Sequence, residues 1–245
     1  VVGNDSDDAD IGTGTIEIEK GKLEVLAGDS ISNTVQATSA NDKSMVGGDG
    51  TITSVTIGGD TTEITVVSPG QGISTSLTNE TTTQQTSLGT GGSAALAMGD
   101  FTITNLTLND GGVYDWEISD FSESGTAGTD YDVLKFNSLT FDSSGTFTLN
   151  ILGLQADGTA GALAGSDGTH SAGLQNIWDD TWNGANKSGS YKGFKFLDGP
   201  NHGSITWGGV SVDGNGYVTN FFDIDQRGFS YHNDFYWGDW SVWYD

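Results

Sequence analysis

Closely spaced acidic side chains near the start of the sequence are the first candidates for a chemical role. The run NDSDDAD at 4–10 and the segment DGNG at 213–216 both offer oxygen atoms of the kind that Ca²⁺ prefers. The first lacks the glycine and distal glutamate of a calcium-binding loop, and the second also suits a plain hairpin turn. No motif requires a cofactor, and calcium is the one candidate. Its candidate ligands are Asp5, Asp7, Asp10, Asp213 and Asn215.

Aromatic side chains near the end of the sequence are the best candidates for binding a ligand. Between 229 and 243 they stand among Asp and Asn, a mixture that can stack on sugar rings and hydrogen-bond their hydroxyls. Alternation along 229–233 also places aromatic side chains on one strand face and polar ones on the other, which is typical of a half-buried strand. Core packing is therefore the competing interpretation. The candidate ligand-binding residues are Tyr231, Trp237, Trp240 and Trp243.

No group of residues has the spacing of a catalytic centre. The histidines His170, His202 and His232 are far apart, and the sequence has no G-x-S-x-G motif. Paired carboxylates can cleave glycosides, but with 33 acidic residues some pair will meet the required separation by chance. Only 8 basic residues are present to neutralise an acidic polysaccharide. We therefore predict that the protein is not an enzyme.

The elements that carry these residues are short segments in which apolar and polar side chains alternate. Period-two alternation predicts half-buried strands, and the Gly, Asn and Asp residues between them supply the positive φ that tight turns need. The predicted strands lie at 15–19, 22–26, 51–57, 62–67, 101–108, 113–118, 133–141 and 146–152.

Two all-β architectures fit these strands. The short turns suit the hairpins of a β-sandwich or jelly roll. The Thr, Ser and Asn ladders and an apolar content of 34% suit a β-solenoid. Aromatic strands and turns after 190 predict an antiparallel C-terminal element. The predicted organisation is an acidic N-terminal segment at 1–14, a repetitive β region at 15–154, a loop with a short helix at 155–190, and an aromatic β region at 191–245.

Composition limits the cellular locations and the classes of binding partner that are expected for the protein. The formal net charge of −25 repels nucleic acid and anionic lipid, and no apolar run is long enough for membrane insertion. The chain has no Cys, which excludes disulfides, and it begins with Val, from which we expect a processed, secreted protein. Sequons predict N-glycosylation sites at Asn4, Asn79, Asn105 and Asn186.

The sequence also resembles a family of secreted proteins. The segments GTIEIEKGKLEVLAGDSI, LTLNDGGVYDWEISD, GTAGTDYDVLKFNSLTF, GTFTLNILGLQADGTAGAL and GFSYHNDFYWGDWSVWYD resemble proteins of Gram-negative environmental bacteria that carry autotransporter-associated β-strand repeats. Many members end in a PEP-CTERM sorting signal, whereas no VPEP-type motif precedes Asp245. The resemblance covers most of 12–165 and, more loosely, 191–245. It implies export, a right-handed parallel β-helix, a role at the cell surface or in extracellular matrix, and no catalytic residues.

From these observations we expect a non-enzymatic extracellular or cell-surface structural protein. It would be a self-assembling subunit of a bacterial surface layer, matrix or filament, with strands at 15–26 and 240–244 as the joints. The alternative is an adhesin module that binds extracellular polysaccharide through the C-terminal aromatic residues.

Overall fold

The computed structural model of the chain describes residues 14–19, 21–37, 44–59, 63–70, 98–119, 126–142, 145–154, 196–199, 204–214, 218, 220–225 and 242. These residues form fifteen β-strands, and no α-helix occurs among them. The prediction of an all-β fold is therefore confirmed. Two strands, Thr51–Ile57 and Val113–Ile118, have the predicted bounds.

The first sheet, sheet I, has six strands, and all its pairings are parallel. Their order across the sheet is their order along the chain. Each internal strand of the sheet therefore lies between the sheet I strand that precedes it in the chain and the one that follows it. The strands of sheet I are β2 (Gly21–Val25), β5 (Ser44–Gly48), β7 (Val66–Pro69), β9 (Val113–Ile118), β12 (Phe147–Gly153) and β15 (Phe222–Asp225).

The second sheet, sheet II, has seven strands, which are also parallel to their neighbours. Its long central strand β8 pairs with β6 on one side and with both β10 and β11 on the other. The strands of sheet II are β3 (Ser30–Ile31), β6 (Thr51–Ile57), β8 (Asp100–Leu108), β10 (Val133–Lys135), β11 (Ser138–Phe141), β13 (Leu197–Asp198) and β14 (Ile205–Thr206). A separate parallel pair joins β1 (Ile16–Ile18) to β4 (Val35–Ala37).

The register places like side chains on top of one another in successive strands. On the buried face of sheet II, Val55, Leu106, Leu139 and Ile205 are aligned. The same strands align threonines at 56, 107, 140 and 206 on the opposite face. Because cross-strand pairs of this kind each contribute roughly 0.2–1 kcal/mol, repetition of residue type stabilises the parallel register.

The core lies between the two sheets and is closed by aromatic rings near the last described strands. Phe141 stacks on Trp207 with ring centroids 5.2 Å apart, and Phe147 stacks on Phe221 at 5.7 Å. Phe222 makes edge contacts with Phe141, Phe147 and Phe221. Aromatic residues that follow residue 190 thus join the same core as the strands before residue 154.

The connection after β6 shows why glycine is common between strands. Gly58 has a φ of +88°, a conformation that other residues rarely adopt. A side-chain carbon there would also lie 2.5 Å from the carbonyl oxygen of Asn109. The turn therefore requires glycine for both its backbone conformation and its close approach to the next pass.

The pairing expected of the β-sandwich alternative is wrong. Its hairpins would pair consecutive strands antiparallel, yet every pairing between the described strands is parallel. Of the C-terminal region that was expected to be antiparallel, β13, β14 and β15 pair in parallel with β10, β11 and β12, and residues 226–241 lie outside the described residues. An antiparallel bridge joins Val212 to Val218 locally. Turn residues indicate where the chain reverses, but they do not determine which strand it then pairs with.

The prediction of one strand over 133–141 is also corrected, because the structure divides it into β10 and β11. Asn137 lies at the break, where its backbone N–H donates to the carbonyl oxygen of Thr104, 3.0 Å away. The predicted acidic segment at 1–14, apart from Gly14, and the predicted loop and helix at 155–190 lie outside the described residues.

The aligned apolar side chains predict a strong response to truncation at the centre of sheet II. Leu106→Ala should lower the free energy of unfolding by about 2–5 kcal/mol, because a buried leucine between Val55 and Leu139 leaves a cavity. Chemical denaturation measures this change. The neighbouring exposed variant Asn105→Ala is the control, and an equal effect of the two would contradict the described register.

Candidate functional site

Alternation along β9 separates a core face from a polar face that is also buried. Tyr114 and Trp116 enter the core, whereas Asp115 and Glu117 lie on the opposite face of the strand. The relative exposures of these acidic residues are only 0% and 1%. Because a buried charge is costly unless it is paired, Asp115 and Glu117 depend on compensating groups nearby.

Lys22 brings a positive charge to this face of sheet I. Its backbone lies on β2, and its ammonium group donates a hydrogen bond to the carbonyl oxygen of Gly70, 2.9 Å away. The same nitrogen lies 3.7 Å from the carboxylate of Glu24, and the Lys22 side chain is only 2% exposed. Burial lowers the pKa of Lys22, while the negative charges of Glu117 and Glu24 act in the opposite direction.

Gly47 on β5 makes the path of the lysine side chain possible. A side-chain carbon at Gly47 would lie 2.6 Å from Cε of Lys22 and 1.7 Å from the carbonyl oxygen of Ser68. Both separations are far below normal contact. Because Gly47 has no side chain, the Lys22 side chain can cross the sheet while it stays buried.

Asp132 joins the two sheets just before β10. Its carboxylate accepts hydrogen bonds from the backbone N–H of Gly99 at 2.8 Å and from that of Glu117 at 3.0 Å. Its backbone N–H donates to the carbonyl oxygen of Glu117, and its own carbonyl oxygen accepts from the indole of Trp116. Asp132 thus takes the place of a neighbouring strand along β9 beyond the end of β7.

Glu117 and Asp132 are two buried carboxyl groups whose pKa values are both raised. Neither carboxyl oxygen of Glu117 accepts a hydrogen bond within the described structure. Burial raises the pKa of Glu117 well above its usual range, and the negative charge of Asp132 raises it further. Burial also raises the pKa of Asp132 to about 7, although its hydrogen bonds from Glu117 and Gly99 oppose that shift. Both carboxyl groups therefore ionise less readily in the folded protein than they do in solution.

Further polar groups border this site. Nδ2 of Asn150 on β12 donates to the carboxylate of Asp115 at 2.7 Å. The backbone N–H of Asp100 donates to Asp49, and the Asp100 carboxylate forms an ion pair with Lys135. Burial raises the pKa of Asp49. We refer to Lys22, Glu24, Asp115, Glu117 and Asp132 as the buried acidic cluster.

The buried acidic cluster is suited to storing a proton and holding backbone segments together. A carboxyl pair can act as a general acid and base, but catalysis also needs a substrate within hydrogen-bond reach. Here Asp115, Glu117 and Asp132 are all shielded from solvent, with exposures of 1% or less. The geometry therefore supports a structural and electrostatic role for these residues.

The sequence-predicted metal ligands are not brought together in the described structure. Asp213 is exposed, and Asp5, Asp7, Asp10 and Asn215 lie outside the described residues. In the part of the chain that the structure covers, no group of three or more His, Asp or Glu side chains is placed to hold a metal ion. Calcium binding stays a prediction.

Most residues of the other predicted sites also lie outside the described residues. All four candidate ligand-binding aromatics, Tyr231, Trp237, Trp240 and Trp243, lie outside the described residues. Among the sequons, Asn105 is exposed on β8, where its side chain forms hydrogen bonds with the backbone carbonyl of Thr53 and the hydroxyl of Ser138. Asn4, Asn79 and Asn186 lie outside the described residues.

The buried acidic cluster was missed by sequence reasoning. In the segment YDWEI at 114–118, acidic residues alternate with large apolar ones, which normally indicates a strand with one solvent-exposed face. The additional signal is Lys22, one of only 8 basic residues in a strongly acidic chain. Only the fold shows that both faces of β9 are buried.

Comparison with known proteins does not assign the chain to a family. No protein-family model matches the chain, and neither a curated protein nor a solved structure matches it. The resemblance to secreted proteins with β-strand repeats stays a prediction. No helix in the described ranges has the length and apolar character needed to cross a membrane.

The passage of Lys22 over Gly47 predicts that this glycine cannot be replaced. Gly47→Ala should lower the free energy of unfolding by about 1–3 kcal/mol, because the added carbon forces backbone and lysine apart. Denaturant unfolding measures the difference. Gly214→Ala is the matched control, since a side-chain carbon there meets nothing within 4 Å. Equal stability of both variants would contradict the close approach.

The raised pKa values of Glu117 and Asp132 predict that the protein is more stable in mild acid than in mild base. Glu117 and Asp132 have raised pKa values in the folded protein, so the folded state binds more protons than the unfolded state above about pH 4. Stability should therefore fall as the pH rises through about 7, where Asp132 and then Glu117 must ionise. Thermal unfolding from about pH 5 to about pH 8.5 measures this trend.

Glu117→Gln should flatten that trend, because its neutral amide can still donate to Asp132. At the alkaline end the melting temperature should rise by about 2–4 °C for each kcal/mol recovered. Glu17→Gln removes the same formal charge from an exposed site on β1 and is the matched control. The same pH profile in all three proteins would exclude the carboxyl pair as its source.

Proposed function

We propose that the chain is a right-handed parallel β-solenoid that acts as a non-enzymatic extracellular structural protein. In this proposal it is a self-assembling subunit of a bacterial surface layer, matrix or filament. The observation that carries the proposal is the strand order of sheet I, which follows the chain through six parallel strands. Successive coils of a solenoid give this order, and connections between parallel strands of one sheet are nearly always right-handed.

A solenoid supports assembly because its growth in one direction leaves two different ends. Among the described strands of sheet I, β2 and β15 are terminal and have one partner each. A terminal strand presents backbone donors and acceptors that can pair with another chain. If the first strands of one copy meet the last strands of the next, the contact is head-to-tail and can propagate as a filament.

Charge sets the conditions under which such ends can meet. Glu17, Glu19 and Glu24 lie near the first strands, and Asp223 and Asp225 lie on β15. Two acidic ends repel one another at low ionic strength, in keeping with the formal net charge of −25. We therefore infer that assembly requires salt or divalent cations that screen or bridge these carboxylates.

The buried acidic cluster also favours a structural role over catalysis, because its carboxyl groups are closed to solvent. The alternative of a polysaccharide-binding adhesin depends on aromatic residues outside the described part of the chain. The parallel sheets therefore support the structural proposal more directly.

The edge strand β1 provides a test of assembly. The backbone N–H of Ile16 donates to Thr34 on the neighbouring chain segment before β4. Because backbone groups alternate sides along a strand, the N–H of Glu17 points away from β4. Glu17→Pro should therefore remove a donor from the outer edge while keeping the β1–β4 pairing.

We expect the wild-type protein to form assemblies at high concentration when salt or calcium is added, as measured by light scattering and negative-stain microscopy. Glu17→Pro should form smaller or fewer assemblies, whereas Glu17→Gln should assemble at least as readily because it reduces repulsion. A monodisperse wild-type monomer under all these conditions would contradict the proposed function. Unchanged assembly by Glu17→Pro would exclude β1 as a joint.

A further inference from the structure

The segment at 126–132 folds back along the end of β9. Tyr131 forms an antiparallel bridge with Ile118, and the backbone N–H of Ser119 donates to the carbonyl oxygen of Asp130 at 2.8 Å. The next residue, Asp132, exchanges hydrogen bonds with Glu117 through both its backbone and its carboxylate. The chain then enters sheet II at Val133, whose N–H donates to Gly99. This short segment therefore connects the two sheets.

The strength of that connection depends on charge at two side chains. The Asp132 carboxylate holds the backbone N–H groups of Gly99 and Glu117. The Glu117 side chain lies against it, fully buried, and its oxygens accept no hydrogen bond in the described structure. When Glu117 carries a proton, it can donate to Asp132. Without that proton, two negative charges adjoin in a site that water does not reach.

We propose that Glu117 and Asp132 form a pH-sensitive latch, which fastens segment 126–132 to the end of β9 while they share a proton and releases it when that proton is lost. The latch is a property of the folded chain itself. It is independent of whether the protein assembles, so failure of one proposal leaves the other standing.

The charged groups around the latch set its direction. Lys22 and Glu24 face it from β2, and Asp115 lies beside Glu117 on β9. Asp49 and Asp100 border the same corner from the start of sheet II. With Lys135, which forms an ion pair with Asp100, these neighbours contribute two positive charges and four negative ones, so a second negative charge in the pair is not compensated. Loss of the proton therefore favours separation of the segment from β9.

Lys22 responds to pH in the opposite sense. Its pKa is lowered by burial, so the folded protein releases this proton more readily than the unfolded chain does, and that release favours folding as the pH rises. A variant that keeps Lys22 and neutralises only Glu117 separates the two contributions. Glu117→Gln is that variant, because an amide can still donate to Asp132.

Hydrogen exchange resolved at single amides tests the latch. The reporters are the backbone N–H groups of Gly99 and Glu117, both of which donate to Asp132, and the Trp116 indole N–H. The internal reference is the N–H of Asn109, which donates to Ile57 across sheet II. Dividing each observed rate by the intrinsic rate at the same pH gives the opening constant for that site.

In the wild-type protein we expect the opening constants of the reporters to increase with pH, by up to tenfold per pH unit from about pH 4, where carboxyl groups of the open segment ionise, and to level off once the closed pair has ionised. The Asn109 reference should change far less. Glu117→Gln should abolish the increase at the reporters, while the exposed control Glu17→Gln should retain it.

Three results would overturn the latch. The first is a wild-type opening constant that does not depend on pH. The second is an equal increase at the reporters and at Asn109, which would indicate general loosening of the fold. The third is an unchanged slope in Glu117→Gln. If Glu117→Gln does not fold, the comparison of reporters with Asn109 in the wild-type protein decides the question.

Discussion

Parallel pairing between successive passes of the chain is the constraint on which the rest of the structure depends. It aligns Val55 with Leu106 and Leu139, so the core is built from apolar ladders and not from isolated contacts. The same pairing requires tight corners, which explains why Gly58 combines a positive φ with a close approach to the next pass. Each pass depends on its neighbours because one strand alone cannot bury its apolar face.

The pairing also creates the electrostatic problem that the buried acidic cluster resolves. In sheet I, side chains on both faces of β9 are buried, so Asp115 and Glu117 lose the solvent that a half-buried strand would provide. Lys22 reaches them only because Gly47 has no side chain, and Asp132 reaches them because β7 ends early. Burial of the remaining negative charge raises the pKa values of Glu117 and Asp132. The cluster thus links the fold to the solution pH through a few named contacts.

The sequence predicts the strands better than it predicts their partners. Period-two alternation identifies Thr51–Ile57 and Val113–Ile118 correctly, because each strand has one strongly apolar face. Alternation is the same in antiparallel and in parallel strands, and for this reason it did not predict that β15 pairs in parallel with β12. The buried acidic cluster could not be predicted for a related reason. Whether the polar face of β9 meets water depends on the three-dimensional fold, which its local sequence does not encode.

The parallel register can be tested directly, because the chain has no native Cys to interfere. Thr107 and Thr140 are paired on adjacent strands, where Cα atoms lie about 4.8 Å apart, within the range that a disulfide can span. Thr56 and Thr140 are separated by β8 and should lie about 9–10 Å apart. Mass spectrometry after mild oxidation should find an intramolecular disulfide in Thr107→Cys/Thr140→Cys and none in Thr56→Cys/Thr140→Cys. Failure of the first pair to cross-link, or equal cross-linking of both, would contradict the parallel arrangement.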